Sequence, residues 1–318
     1  MIKKWKKKIT IIILSLNRPK YLKRTVEYYL NIGLKLIVVD GSLKKNIFKK
    51  NKNLIYINSK THYYTRLSIA EKNLKTDYYI IANDDEFYLE DGLSRCVNFL
   101  DKNKSFIGSC GRSLVFTYLN RNIFGYEGYK YFYNNKLNYK KKIDRVNVHT
   151  KLPTVQGYNS VLRKRVLGKI VYFLKNFKQR NNIFLNEFFI NLIIILSGRL
   201  NIINHLMWFR SQENKIITNR QWMRSGNMQN FYIFFHNMTI KKKNSLVKKF
   251  CQINKVSDLF EIILIQMIIR SKNQYYLYQN KNSIKKNLFN YVINLLSKIK
   301  NFNSIFSYLG DIIKQKLF

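Results

Sequence analysis

The chain has 318 residues, of which 46% are hydrophobic, and it contains 23 Tyr and 22 Phe. This content excludes wholesale disorder, and the length suffices for the core of one large domain or two smaller ones. The formal net charge of +41 indicates either an anionic partner, such as nucleic acid, a phospholipid surface or a phosphorylated substrate, or a genome whose A- and T-rich codons favour Lys and Asn.

A basic and then apolar segment opens the chain, MIKKWKKKITIIILSLNRP. It resembles a signal peptide only in part, because Asn17, Arg18 and Pro19 follow the short apolar run where a small-residue cleavage site would stand. We therefore predict a first strand over Ile9 to Leu14. Pro19 suits the first position of a helix, which we expect to end before Gly33.

Four further β-branched runs bounded by turn residues predict strands, at Leu36 to Asp40, Leu54 to Asn58, Tyr78 to Ala82 and Phe106 to Gly108. Two segments with helical spacing of apolar residues lie between these runs, at Thr65 to Lys75 and Gly92 to Leu100. Such alternation predicts an α/β fold with a mainly parallel sheet and helices on its faces.

The rest of the chain has a different character. Residues of about 117 to 180 are rich in Tyr, Asn and Lys with weak periodicity, which predicts loops over the sheet. From Phe184 onward, apolar stripes such as Ile284 to Ile299 predict a helical C-terminal part. We thus expect three regions, 1–116, 117–215 and 216–318. No apolar stretch reaches the roughly 20 residues of a membrane span, so no transmembrane helix is predicted.

Three cysteines, Cys96, Cys110 and Cys251, are widely spaced and form no CxxC pair. This spacing predicts neither a disulfide framework nor a zinc site. A reducing compartment fits best, and we expect a cytoplasmic protein.

An acidic cluster follows the strand YYIIA, because five of the chain's 17 acidic residues fall between Asp84 and Asp91. Ligands of open parallel sheets bind at the carboxyl ends of strands. Crowded carboxylates repel one another, and a divalent cation would relieve the repulsion while binding a diphosphate. Asp84 and Glu86, two apart in an extended stretch, point the same way. The alternative is a solvated acidic turn that caps the helix beginning near Glu90.

The first 116 residues resemble the family 2-like glycosyltransferases, whose catalytic domain has the GT-A fold. The segments TIIILSLNRPKYLKRTVEYY, LIVVDGS and YYTRLSIAEKNLKTDYYIIANDDEF carry the resemblance, together with the spacing between them. It implies a nucleotide diphosphate sugar donor and a Mn²⁺ or Mg²⁺ held by a DxD-type motif, here Asp84, Asp85 and Glu86. The chain departs from that motif because Glu86 stands at the usual last Asp.

The resemblance also implies donor contacts from the ends of the first two strands and from one arginine of the second predicted helix. These residues are Ser15, Asn17, Arg18, Asp40, Ser42 and Arg66. Physically, a guanidinium such as that of Arg66 suits a pair of phosphate oxygens. The alternatives are ordinary turn chemistry for the Asp-Gly-Ser sequence after the second strand and a surface position for Arg66.

The acceptor side is implied by two later segments. VQGYNSVLRKRVLG resembles the family's strand after the donor half, which makes Gln156 and Gly157 acceptor-side candidates. NEFFINLIIILSGRL resembles the helix that carries an Asp or Glu base in many inverting members, and Glu187 occupies that place. A Glu buried at such a helix would have a raised pKa, as suits a base, although an exposed carboxylate is the alternative. Asp91 is the second candidate for the base.

We therefore predict transfer of a sugar from a nucleotide diphosphate sugar to an acceptor hydroxyl, by single displacement with inversion, in surface glycan synthesis. A retaining reaction stays open. The acceptor would be a glycan or lipid-linked, and the Lys-rich C-terminal helices would contact an anionic membrane from the cytoplasmic side, unless they simply pack on the core. A nucleic-acid-binding protein and a nucleotidyltransferase are the rivals, but neither an RNA- or DNA-binding motif nor a Gly-rich triphosphate loop occurs.

Overall fold

A computed structural model of the chain describes residues 3–119, 122–128, 137–151, 157–177, 183–211 and 238–256. Within these residues the strands are β1 (Ile9–Ser15), β2 (Lys35–Asp40), β3 (Leu54–Asn58), β4 (Tyr78–Ala82), β5 (Glu86–Tyr88), β6 (Phe106–Leu119), β7 (Asn122–Gly128), β8 (Val161–Arg163) and β9 (Arg199–Ser211). The helices are a 3-10 helix (Lys4–Lys8) and α1 (Pro19–Asn31), α2 (Tyr63–Asn73), α3 (Glu90–Lys102), α4 (Lys142–Lys151), α5 (Lys164–Phe177), α6 (Ile183–Ser197) and α7 (Ile240–Ile253).

All described strands belong to one sheet, in the order β3-β2-β1-β4-β8-β6-β9-β5, with β7 paired to β6. The first four strands are mutually parallel. Beyond them β8 pairs antiparallel with β4 and β6, while β9 runs parallel to β6 and antiparallel to β5. The predicted α/β class is confirmed, as are the five predicted strands, although β6 extends well past Gly108.

Helices cover both faces of the sheet, and this explains why β1, β2 and β4 are almost continuously apolar. Successive residues of a strand point to opposite faces. Accordingly Ile11 and Ile13 pack with residues of α1 and α3, whereas Ile12 packs with residues of α2, α5, α6 and α7. Two buried cores, one on each face, therefore pack the sheet between two layers of helices.

The prediction of loops over residues 117–180 is wrong for the described part of that region, which contains β7, α4, β8 and α5. Helix α5 has its buried residues at helical spacing, so the signal was present but was hidden by the polar composition around it. The stripe at Ile284 to Ile299 lies outside the described residues. The division of the chain after residues 116 and 215 stays a prediction.

Helix α6 is buried on nearly every side, which explains its continuous apolar sequence. Its Phe189 stacks on Phe250 of α7, with ring centroids 4.8 Å apart, and contacts Phe173 of α5. Among the described residues, the length and hydropathy needed to cross a bilayer are found in no helix. The apolar run that the sequence shows here is thus the core of the helical layer.

Candidate active site

The predicted donor residues come together at one edge of the sheet. Strands β1 and β2 are parallel, and their register places Ser15 opposite Asp40. Strand β4 is parallel to β1, with Ala82 opposite Ile13, so the acidic cluster leaves the sheet at the same edge. This is the carboxyl edge at which open α/β sheets bind ligands.

Asp40 is fully buried, and its carboxylate is saturated by hydrogen bonds. It accepts bonds from the N–H and Oγ of Ser42 at 2.9 and 2.5 Å, from Asn46 Nδ2 at 2.6 Å and from the Tyr56 hydroxyl at 2.9 Å. Burial opposes ionisation, but these donors outweigh it and hold the pKa of Asp40 below its ordinary value. Asp40 therefore stabilises the loop after β2, and its bond from the Ser42 N–H is the turn chemistry expected of an Asp-Gly-Ser sequence, so a donor role for Asp40 stays a prediction.

The loop after β1 reaches the same pocket. Asn17 adopts a left-handed backbone conformation, with φ of 55°, which Asn tolerates better than most residues. Its N–H donates to Ser42 Oγ at 2.7 Å, so the loops after β1 and β2 are joined. This geometry sends the next residue, Arg18, toward the acidic cluster.

Arg66 of α2 is buried rather than on the surface, with 6% of its area exposed. Its Nη1 donates a hydrogen bond to the carbonyl of Ser15. Gly41 makes room for it, because a Cβ at position 41 would lie 2.9 Å from the Arg66 Cζ. The guanidinium is thus fixed between the ends of β1 and β2, where a phosphate pair could meet it.

The acidic cluster is buried, which excludes a solvated turn. Asp84, Asp85 and Glu86 each have no more than 5% of their area exposed. Two hydroxyls of α1 hold the backbone: Thr25 Oγ1 donates to the Asp84 carbonyl at 2.6 Å, and the Tyr29 hydroxyl donates to the Glu86 carbonyl at 3.0 Å. The three carboxylates are therefore presented by a rigid turn.

Neighbouring side chains balance part of this negative charge. Ser15 Oγ donates to Asp84 Oδ2 at 2.7 Å. Arg18 bridges the two aspartates, with Nη1 on Asp84 Oδ1 and Nη2 on Asp85 Oδ2, the latter at 2.9 Å. Burial nevertheless raises the pKa of Asp84 to about 6, with Arg18 lowering it and Asp85 raising it.

Glu86 lies on β5, where it is paired in register with Arg210 of β9. The Arg210 Nε lies 3.9 Å from Glu86 Oε1. The other oxygen, Oε2, is buried and has no hydrogen-bond partner within the described part of the chain. Burial raises the pKa of Glu86 to about 7, against the lowering effect of Arg210. An orphaned buried carboxylate oxygen is the kind of atom that an ion satisfies.

A cation at the acidic cluster would need ligands from the substrate as well as from the protein. In the described residues no group of three or more His, Cys, Asp and Glu is arranged to hold a metal ion by itself. Mg²⁺, however, is commonly held by one or two carboxylates together with substrate phosphates. Asp84 and Glu86 would supply such carboxylates, but Asp84 lies in a turn and not in an extended stretch, and each of the two interacts electrostatically with Asp85, so their convergence on one ion stays a prediction.

Two tyrosines connect the donor residues with Glu187. The hydroxyls of Tyr63 and Tyr158 are hydrogen-bonded to each other. Tyr63 interacts electrostatically with Glu187 and Arg66, and Tyr158 interacts with Glu187 and Glu86. Sequence reasoning missed both tyrosines, because two among 23 Tyr carry no distinguishing signal. The tyrosine pair therefore interacts both with Glu187 and with charged groups of the donor side.

Glu187 lies in the second turn of α6 and is half-buried. Burial raises the pKa of its carboxyl. Asn191, one turn later, donates to the Glu187 carbonyl at 3.0 Å and accepts the Tyr158 N–H at 3.1 Å. Asn191 thereby joins the turn that carries Tyr158 to the helix that carries Glu187. Gly157 is the first residue of this turn, and Gln156 lies outside the described residues.

Asp91, the second candidate base, lies elsewhere. Strand β5 runs antiparallel to β9 and carries the chain away from the carboxyl edge, so that the adjacent Glu90 binds Lys3 and Lys6 just before β1. Asp91 is exposed and pairs with Arg95 and His205. The hydrogen bond from Arg95 lowers its pKa, which makes it a weaker base.

Comparison with known proteins identifies the family and the fold. The model of the family described as glycosyl transferase family 2 matches residues 10–171, half of the chain. No curated protein matches the sequence significantly.

Solved structures of S. aureus TarS 1-349 have the same fold. The first matches with a TM-score of 0.52 and 11% identity, covering 86% of this chain and 73% of that one. The same protein in complex with UDP matches with a TM-score of 0.51, 11% identity and the same coverage. Its complex with UDP-GlcNAc matches with a TM-score of 0.50 and 10% identity over 85% of this chain and 73% of that one. At such identities the likeness shows the GT-A fold alone.

Replacing Gly157 tests the junction between the turn and α6. A Cβ at this position would lie 2.5 Å from Asn191 Oδ1, so Gly157→Ala should lower the free energy of unfolding by about 1–3 kcal/mol. Gly168→Ala in α5 is the matched control, because a Cβ at position 168 would have Glu71 Oε1, at 3.8 Å, as its nearest neighbour. That control should gain roughly 0.5–1 kcal/mol. Urea unfolding measures the free energy of unfolding of both variants. Equal stability of Gly157→Ala and the parent would contradict close packing between the turn and α6.

Proposed function

We propose that this chain moves a sugar from a nucleotide diphosphate sugar to an acceptor hydroxyl. The chain belongs to glycosyl transferase family 2 and is a glycosyltransferase. The observation that carries the proposal is the meeting of Asp40, Arg66 and the buried acidic cluster at one sheet edge. An ionised pocket, a guanidinium and a set of carboxylates are what a nucleotide, its diphosphate and a cation require.

The donor would lie along the loops after β1 and β2. The carboxylate of Asp40 is engaged in hydrogen bonds within the protein. The base of the nucleotide would therefore contact side chains that Asp40 positions, such as Ser42 and Asn46. Arg66 would face the diphosphate. The complexes of TarS with UDP and with UDP-GlcNAc make UDP the first nucleotide to test.

A divalent ion would be held by Asp84 and Glu86. When bound, Mn²⁺ or Mg²⁺ neutralises charge that develops on a departing diphosphate. The chain prepares this place through Ser15 and Thr25, which fix the carboxylate and the carbonyl of Asp84. Glu86 is fixed by the pairing of β5 with β9.

Glu187 would accept the proton of the acceptor hydroxyl. Its raised pKa suits this task. The Tyr63–Tyr158 pair interacts electrostatically with Glu187 as well as with Arg66 and Glu86, which supports a single displacement with Glu187 near the donor. Inversion at the anomeric carbon would follow.

Thermal unfolding with UDP, with and without Mn²⁺, tests the donor site. A ligand that binds the folded state raises the midpoint, so UDP with Mn²⁺ should stabilise the protein more than either alone. Asp84→Asn and Glu86→Gln should remove the metal-dependent part of the shift and lower sugar transfer about 100-fold or more.

Glu90→Gln is the control for these two variants, because Glu90 is a nearby acid that binds Lys3 and Lys6 away from the carboxyl edge. It should keep both the shift and the turnover. Unchanged metal dependence in Asp84→Asn and Glu86→Gln would refute the metal role.

The pH dependence of turnover tests Glu187. A base must be deprotonated, so kcat/KM of the parent should fall as the pH drops through the raised pKa of Glu187, above the ordinary range of a glutamate. Glu187→Gln should lose this limb together with about 10²–10⁴ of the rate, while still binding UDP. If Asp91→Asn instead removes the limb, Asp91 is the base.

Two neighbouring helices support a membrane-associated acceptor. Helices α5 and α7 are in contact and contain no acidic residue. They expose seven basic side chains: Lys164, Arg165, Lys169, Lys175, Lys241, Lys242 and Lys248. Such a surface suits an anionic lipid face, and hence a lipid-linked acceptor of surface glycan synthesis on the cytoplasmic side.

Sedimentation with vesicles tests this membrane surface. The protein should sediment with phosphatidylserine-containing vesicles and not with neutral ones. Replacing Lys241, Lys242 and Lys248 by Gln should weaken binding by roughly fivefold per lysine, at about 1 kcal/mol each. The matched variant replaces Lys44, Lys45 and Lys50, which are also exposed. An equal loss in both variants would show that net charge, not this surface, determines binding.

A further inference from the structure

Arg18 binds the two aspartates of the acidic cluster. Its two terminal nitrogens hold Asp84 Oδ1 and Asp85 Oδ2. Its guanidinium also lies 4.4 Å from the ring centroid of Tyr21. Because Ser15 donates to the other oxygen of Asp84 at 2.7 Å, both oxygens of this predicted metal ligand accept hydrogen bonds from the protein.

This arrangement solves an electrostatic problem. Adjacent buried carboxylates without compensating charge are strongly unfavourable, and one planar guanidinium compensates two of them at once. A divalent cation would compensate the same charge. The guanidinium and the cation are therefore alternatives at Asp84, since two positive groups on one carboxylate would repel each other.

We propose that Arg18 is an internal cation that closes the acidic cluster until donor and metal arrive together. This inference rests on the proposed function, specifically on the metal role of Asp84 and Glu86. A divalent ion gains Asp84 only when the guanidinium leaves it. Arg18 is thus a positioning residue that sets the order of binding.

The position of Arg18 permits this exchange. It precedes the first residue of α1 and follows Asn17, so its backbone belongs to the end of a loop and not to the helix interior. A quarter of its side chain is exposed, against 4% for Asp84 and 7% for Asp85. The guanidinium can therefore withdraw toward solvent while the carboxylates stay in place.

The exchange couples the metal to the donor. A free divalent ion must displace a favourable ion pair, whereas an ion that arrives with a diphosphate brings negative charge with which the released guanidinium can pair. Metal and nucleotide should therefore each strengthen binding of the other, by the same factor. Removing the Arg18 charge should remove most of this coupling.

Titration of Mn²⁺ into the nucleotide-free protein, followed by calorimetry, tests the proposal. Arg18→Gln should bind Mn²⁺ at least about fivefold more tightly than the parent, and the factor by which UDP strengthens Mn²⁺ binding should shrink correspondingly. Arg18→Lys keeps one charge but cannot bridge both aspartates, so it should bind Mn²⁺ with intermediate affinity. Lys23→Gln removes the same charge from the exposed face of α1 and should match the parent.

The outcomes separate this inference from the proposed function. Equal Mn²⁺ affinity of the parent and Arg18→Gln, with UDP still strengthening it, overturns the role of Arg18 and leaves the metal site standing. Absence of Mn²⁺ binding in every variant, with and without UDP, overturns both. If Arg18→Gln fails to fold by circular dichroism, Arg18→Lys decides, and an affinity equal to that of the parent overturns the inference.

Discussion

Burial of three consecutive carboxylates at one sheet edge is the constraint on which the rest of the site depends. Asp84, Asp85 and Glu86 lose their hydration when the sheet is covered by helices, a cost that needs opposite charge close by. Arg18 and Arg210 supply it from the β1–α1 loop and from β9. Since these arginines are far apart in the chain, the cluster is neutralised only when the whole sheet has formed.

Regular elements fix the acidic cluster and Tyr158 to the rest of the fold, while the loops after β1 and β2 form the donor pocket. Hydroxyls of α1 hold the backbone of the acidic turn, and the pairing of β5 with β9 holds Glu86. Asn191 joins α6 to the turn that carries Tyr158. A site held by helices and strands keeps its geometry more closely than one held by loops. The backbone at Glu187 is thereby tied to the turn of Tyr158.

Local sequence patterns predict those strands and helices whose own residues specify them. The apolar runs of β1, β2 and β4, and Pro19 at the start of α1, each contain their own signal, and the carboxyl-edge position of the acidic cluster follows from them. The pairing of Arg18 with residues 66 and 67 positions away has no such signal. The same is true of the Tyr63–Tyr158 contact and of β5 and β9, whose antiparallel pairing joins segments more than 100 residues apart.

The basic residues behind the large positive charge fall into two groups with different causes, buried arginines and exposed lysines. Among the described lysines and arginines, the buried side chains are those of Arg66 and Arg145, and no lysine is buried. Arginine alone offers a planar fork that bonds several acceptors at fixed angles, as Arg145 does with three carbonyls. Codon bias cannot account for such positions, whereas it can add exposed lysines freely. The net charge is therefore a weak guide to partners, and the arrangement of the arginines is the stronger one.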